Sequence, residues 1–208
     1  RAFAKRLRLT AVRMVHEARS AHVGGSLSMA DLLAALYSGV LRVDPKRPQW
    51  EERDRFVLSK GHACAAYYAA LAYRGFFPED WLETFYRDGG KLAGHATHTG
   101  VHGIEFSTGS LGHGLSVATG MALAGHRDGA AWRVFAVLSD GECDEGSTWA
   151  PILFAPQQRL DSLVQGRHFE IEGDDRVLPA RRGSRPRARL RAEGCVVRGS
   201  GAESRRTR

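Results

Sequence analysis

Two short runs in this chain are apolar from end to end: Phe56-Val57-Leu58, and Val134-Phe135-Ala136-Val137-Leu138. An apolar run without polar alternation belongs to a strand covered on both faces, the usual condition of a parallel sheet flanked by helices. The segments around these runs carry helical spacing. Phe3, Leu7, Ala11, Met14, Val15 and Ala18 fall on one stripe and predict a helix from Phe3 to Arg19, ended by His22-Val23-Gly24-Gly25. Ser28-Met29-Ala30-Asp31 reads as a capping box opening a second helix through Leu32, Leu33, Leu36 and Val40, stopped at Asp44-Pro45. An Ala/Tyr-rich helix ends near Gly75. Pro78 fits the first turn of another, running through Tyr86, and a helix of small residues covers about Leu111 to His126. Helices alternating with short apolar strands predict an α/β fold with a largely parallel sheet.

In such sheets ligands bind at the carboxyl ends of the strands. Two polar turns stand there, Ser59-Lys60-Gly61-His62 and Ser139-Asp140-Gly141-Glu142. A carboxylate directly after a buried strand, as at Asp140, suits Mg²⁺ bound to phosphate; alone, it is also an ordinary polar turn. His22, His62, His95, His98, His102 and His113 each sit beside glycine or in a loop, where imidazoles serve proton transfer near neutral pH or are simply solvated. His95, His98 and His102 have a spacing compatible with zinc, but no second cluster completes a zinc site. The turn Gly109-Ser110-Leu111-Gly112-His113-Gly114 could present backbone N–H groups to an anion. It lacks the Gly-Lys-Ser/Thr of a P-loop.

Charge divides the chain of 208 residues, whose formal net charge is +7. Residues 1–164 carry 18 Lys or Arg against 17 Asp or Glu, and residues 165–208 carry 12 against 6. Those last 44 residues include 12 Arg and only seven large apolar side chains. A segment so poor in apolar residues cannot easily bury a core, so disorder is its default reading. Cys64, Cys143 and Cys195 show no paired spacing, which speaks for a reducing, cytoplasmic setting rather than a disulfide framework. No run approaches the ~18 apolar residues of a membrane helix. The chain begins at Arg1 rather than Met, which leaves the true N-terminus open.

Taken in order, five segments resemble transketolase, and more narrowly the separately encoded N-terminal subunit found in some bacteria. They are Ser20-Ala21-His22-Val23-Gly24-Gly25-Ser26-Leu27, Leu58-Ser59-Lys60-Gly61-His62-Ala63, Ala93-Gly94-His95, Ser107-Thr108-Gly109-Ser110-Leu111-Gly112-His113-Gly114, and Leu138-Ser139-Asp140-Gly141-Glu142-Cys143-Asp144-Glu145-Gly146-Ser147-Thr148-Trp149. The resemblance covers about residues 5 to 164. It implies a thiamine diphosphate-binding fold, incomplete on its C-terminal side, and transfer of a two-carbon ketol unit between sugar phosphates. By resemblance, Asp140 is a Mg²⁺ ligand with Gly141 against the diphosphate, and His62 approaches the same diphosphate. Gly109, Ser110 and Leu111 pack beside the aminopyrimidine. His22 and His95 line the substrate channel, and Glu145 joins an acidic network across a dimer interface. The glutamate that activates the aminopyrimidine lies in this family on another domain. A partner, the C-terminal transketolase subunit carrying the pyrimidine-binding domain, is therefore expected, together with self-association.

The chain departs from the family at two places. Trp149-Ala150-Pro151 stands where the family has Trp-Glu-Ala, which removes a glutamate and puts proline in a helix; Pro156 adds a second break. After Val164 the family continues with a hydrophobic strand ending in an Asn metal ligand. This chain reads Gln165-Gly166-Arg167-His168-Phe169-Glu170 and contains no asparagine. The expectation is that the strand is lost, that Glu170 falls at the Asn position, and that residues 165–208 arise from slippage of the reading frame in a GC-rich gene. Cofactor binding and activity would then be impaired. The other readings are a different thiamine diphosphate-dependent carbohydrate enzyme, a non-catalytic remnant, and a nucleic-acid-binding protein using the arginine tail, which lacks the aromatic interleaving that single-strand binding uses.

Overall fold

The computed structural model describes residues 1–168. Its centre is a three-stranded parallel sheet in the order β1-β2-β3, formed by β1 (Arg55–Leu58), β2 (Val134–Ser139) and β3 (Leu163–His168). The register pairs Phe56 with Phe135 and Leu58 with Val137 on one side of β2. On the other, Val134 pairs with Leu163 and Ser139 with His168.

Successive strand residues point to opposite faces, and both faces are covered. Phe56, Leu58, Phe135 and Val137 join a cluster built largely from α1 (Ala2–Glu17), α3 (Ala30–Ala35) and α4 (Cys64–Tyr73). Val57, Val134, Ala136 and Leu138 join a second cluster with Leu115, Ala118 and Ala122 of α5 (Gly114–Arg127). Half-buried Ile152 of α6 (Gly146–Gln157) packs against the same cluster. The seven strand residues Phe56, Val57, Leu58, Val134, Phe135, Val137 and Leu138 are all buried, as their unbroken apolar runs require. Helix α4 is buried from Cys64 to Ala72, so the Ala/Tyr-rich segment has no solvent face.

Several local expectations are corrected. The first helix ends at Glu17 without glycine; Arg19 and His22 take the positive φ values, 49° and 69°. Gly24 and Gly25 instead lie inside a further helical turn, α2 (Val23–Ser28). Ser28 does not cap the next helix. Its Oγ donates to Gly25 O at 2.9 Å, while α3 starts after Met29 with no side-chain cap and passes into a π-turn at Leu36–Val40. Pro78 precedes a 3₁₀ segment, Glu79–Thr84, rather than an α-helix.

The strand expected to be lost beyond Val164 is present. β3 runs through Gln165 to His168 along the whole of β2. Backbone pairing with a fully buried neighbour supplies what the side-chain pattern of Gln165-Gly166-Arg167 lacks. The sheet is therefore not truncated at residue 164. Helix α6 also continues through Pro151 and Pro156. Pro151 has no N–H to give to Ser147 O, and Ser116 Oγ on α5 donates to that carbonyl at 3.4 Å. Glu170 and the rest of the arginine-rich segment, residues 169–208, with the readings of disorder and frame slippage, lie outside the described residues.

Candidate functional site

Strand β1 delivers Ser59 and Lys60 into a 3₁₀ turn, Gly61–Ala63, that runs directly into α4. His62 stands on this turn, half-buried. Gly61 is required there: a Cβ would overlap Thr108 O, and Thr108 Oγ in turn donates to Leu58 O at 2.6 Å. The loop carrying Gly109 is thereby pressed onto the end of β1.

Helix α4 also holds the next histidine. Tyr68 Oη donates to His95 O at 2.7 Å and Cys64 Sγ to Gly94 O at 3.2 Å. Ala96 N–H donates to Gly61 O at 3.1 Å, tying the two loops together. His22, in a left-handed conformation before α2, completes the group. The His22 and His62 rings are 5.1 Å apart and the His22 and His95 rings 6.4 Å. The three imidazoles line one cavity of about 100 Å³ with Val15, Ser20 and Phe85 among its walls. Gly109 adjoins it: a Cβ there would lie 3.1 Å from His95 Cδ2.

Partial burial, followed by the neighbouring His62 and His22, pushes the His95 imidazole below its ordinary value of 6.5. His95 is thus predominantly neutral at pH 7, the form that accepts a proton.

Asp140 stands at the carboxyl end of β2 and opens a second 3₁₀ turn, Gly141–Asp144. Gly141 is exposed, and a Cβ on it would meet nothing within 4 Å, so open space lies over this turn. Ser110 is exposed and Leu111 half-buried on the glycine turn before α5. Glu145 is exposed and precedes the first residue of α6.

The zinc-compatible histidines are not brought together. His98 Nδ1 is 2.8 Å from Ser107 Oγ and its ring stacks on Phe106, away from the His22–His62–His95 group. Among the described residues no three His, Cys, Asp or Glu side chains form a group able to hold a metal. Asp140 supplies a carboxylate at the end of β2, next to the open space over Gly141. That suits Mg²⁺ whose remaining ligands are phosphate oxygens and water.

Two buried charged residues of this region are not foreseen from the sequence. Lys60 is fully buried, and its Nζ donates to Ser28 Oγ at 3.1 Å. Glu142 is fully buried beneath the Asp140-Gly141 turn. Each belongs to a polar turn, where a charged side chain ordinarily reads as solvated; the Ser139-x-x-Glu142 spacing of a capping box signals the reciprocal Ser139–Glu142 bonds but not the burial.

The family model for the transketolase thiamine diphosphate-binding domain matches residues 1–175. The chain belongs to the transketolase family. It is 49% identical over 143 residues to a 6-deoxy-6-sulfo-D-fructose transketolase subunit from Clostridium sp. (strain MSTE9), covering 69% of this chain and 52% of that protein. It is 43% identical over 143 residues to an apulose-4-phosphate transketolase subunit from Actinobacillus succinogenes, with the same coverage. Among solved structures, transketolase from Leishmania mexicana superposes with a TM-score of 0.75 at 31% identity, covering 79% of this chain and 26% of that one. The chain thus spans about half the length of its subunit relatives and about a quarter of the longer transketolase. The thiamine diphosphate-binding α/β fold expected from the five segments is the fold observed. Among the described residues no helix is long and apolar enough to cross a membrane.

Proposed function

We propose that this chain is the thiamine diphosphate-binding subunit of a transketolase, acting with Mg²⁺ to move a two-carbon ketol unit between sugar phosphates. The observation that carries the reading is the convergence of His22, His62 and His95, from three separate segments, on one cavity beside the glycine turn.

The cofactor, when bound, supplies the carbanion chemistry, and the protein supplies position, charge and proton transfer. Asp140 would hold Mg²⁺, with the open space over Gly141 receiving the diphosphate and His62 facing it. Gly109, Ser110 and Leu111 would flank the aminopyrimidine. His95, neutral at pH 7, is suited to take the proton of a substrate hydroxyl, and His22 to hold a neighbouring hydroxyl. Glu145, exposed at the start of α6, would face a second copy. Trp149, Leu153 and Phe154 on the same helix are 49%, 66% and 40% exposed, an apolar surface that supports assembly with another chain. The partner would be the C-terminal subunit with the pyrimidine-binding domain. The setting would be cytoplasmic carbohydrate metabolism of the pentose phosphate type.

Impaired activity of the chain by itself forms part of the proposal. The chain contains no asparagine to serve as the second metal ligand. The presence of β3 removes one ground for impairment, since the sheet position preceding that ligand is filled as far as His168. The sugar is a separate matter. The two subunit relatives are named for 6-deoxy-6-sulfo-D-fructose and apulose 4-phosphate, so a transketolase acting outside the common sugar phosphates is the second reading.

Calorimetric titration of thiamine diphosphate with Mg²⁺, with and without the partner, tests the proposal. It is followed by a ketol-transfer assay over a panel including both named sugars. Weak cofactor binding and no transfer are expected from the chain alone, and transfer only from the pair. Tight binding by the chain alone would overturn the impairment and make Glu170 a working ligand. No binding under either condition would overturn the function.

A further inference from the structure

Glu142 takes no part in the chemistry just described, yet its carboxylate is fully buried at the centre of the site. Its oxygens collect donors from three segments, two of them distant in sequence and one three residues away. Oε1 accepts the Ser59 hydroxyl from the end of β1 and the Gly112 N–H from the glycine turn, the latter at 3.0 Å. Oε2 accepts the Ser139 N–H at the end of β2 at 2.8 Å. Ser139 Oγ accepts the Glu142 N–H at 3.3 Å, and the Glu142 carbonyl takes the Thr148 hydroxyl of α6 at 2.6 Å.

Each anchor adjoins a residue of the candidate site. Ser59 precedes the Lys60-Gly61-His62 turn, Gly112 follows Leu111, and Ser139 precedes Asp140. We propose that Glu142 is a positioning residue: one buried carboxylate sets the cofactor-facing turns carrying His62, Leu111 and Asp140 at fixed distances from each other. The cofactor part of this rests on the thiamine diphosphate reading; the coupling of the three turns does not.

A carboxylate is the only side chain of this size that accepts on both ends. In Glu142→Gln the amide NH₂ must face either the Gly112 N–H or the Ser139 N–H, so one backbone donor meets another donor. Volume is unchanged, which separates the effect from cavity formation.

Amide hydrogen exchange on the full 208-residue chain is the first readout. In Glu142→Gln whichever of the Gly112 and Ser139 amides faces the NH₂ should exchange about tenfold faster or more, and the other, whose acceptor is no longer held in place, a few-fold faster, both in excess of the change at α4 amides, which reports the loss of global stability. Ser59→Ala, which leaves Glu142 in place, guards against a Glu142→Gln variant that does not fold. It should speed exchange at Gly112 and Ser139 together by a few-fold, because the carboxylate loses one of the donors that orient it. Acceleration at only one of the two amides, or at neither, overturns the coupling. The second readout is the assembled enzyme. There the KM for thiamine diphosphate should rise about tenfold or more in Glu142→Gln while kcat falls by less. An unchanged KM overturns the positioning role. If the wild-type chain binds no thiamine diphosphate, the functional reading fails, and the paired exchange of Gly112 and Ser139 still decides the coupling.

Discussion

The rings of His22 and His62 lie 5.1 Å apart, although one precedes α2 and the other follows β1. His95 completes the group, and its imidazole is held below 6.5 first by partial burial and then by His62 and His22. Removing one neighbour in His62→Ala should raise the His95 titration point without restoring the ordinary value, because burial remains. Proton NMR of the His95 ring across pH checks this; a downward shift or none would contradict it. A lowered value in the folded state also fixes the sign of the linkage. The contribution to stability is present above pH 6.5 and is lost as pH falls through the lowered value. His95→Gln should flatten the loss of stability below pH 6.5.

The two histidines proposed for different roles should fail in different ways. In the assembled enzyme His62→Ala should weaken cofactor binding about tenfold or more, the worth of a hydrogen bond to a charged group. His95→Ala should leave cofactor binding in place and lower kcat about 100-fold or more, as loss of a proton-transfer group does. Titration calorimetry and steady-state rates separate the two, and the reverse pattern would exchange the assignments.

Gly112 and Gly141 should respond oppositely to alanine. Gly112 sits at φ +78°, and a Cβ would come within 2.8 Å of Glu145 Cβ and overlap Ser147 Oγ. Gly112→Ala should cost about 2–3 kcal/mol of folding stability, combining strain and overpacking. A Cβ on Gly141 meets nothing within 4 Å. Gly141→Ala should therefore stay within about 0.5 kcal/mol of wild type in urea denaturation. It should nonetheless weaken thiamine diphosphate binding, since the methyl enters the space proposed for the diphosphate.

Pro151 interrupts the hydrogen-bond ladder of α6, and Ser116 takes over the carbonyl it leaves. Pro151→Ala should raise stability by about 1–2 kcal/mol, part of the ~3 kcal/mol that an interior proline costs a helix. Ser116→Ala should then matter less in the Pro151→Ala background than in wild type. A denaturation cycle over the four proteins measures this, and strict additivity would show that Ser116 does not replace the missing donor.

The parts of the fold readable from sequence are those whose side chains alone record their surroundings. β1 and β2 are apolar on both faces because helices cover both, and this shows directly in Phe56-Val57-Leu58 and Val134 to Leu138. β3 is held by its ladder to β2, and the polar Gln165 and Arg167 conceal that. Ser28 has the residue type and spacing of a helix cap, but its hydroxyl serves Gly25 O and Lys60 Nζ, a choice made by tertiary packing. In the site, His22, His62 and His95 stand out because each lies in one of five ordered segments that together resemble a family. The burial of Glu142 and Lys60 carries no such mark, because burial of a charge depends on donors and acceptors supplied from elsewhere in the chain.

Helix α4 is enclosed on every side from Cys64 to Ala72. Most helices keep a wet face on which substitutions are nearly neutral; α4 has none, so any charged replacement along those nine residues enters the core. The His62 turn leads straight into this helix, and the His95 carbonyl is gripped by its Tyr68. Both histidines are therefore moored to a fully enclosed helix, which should open only when the whole domain unfolds. The site's geometry should persist through local fluctuations that loosen its surface loops.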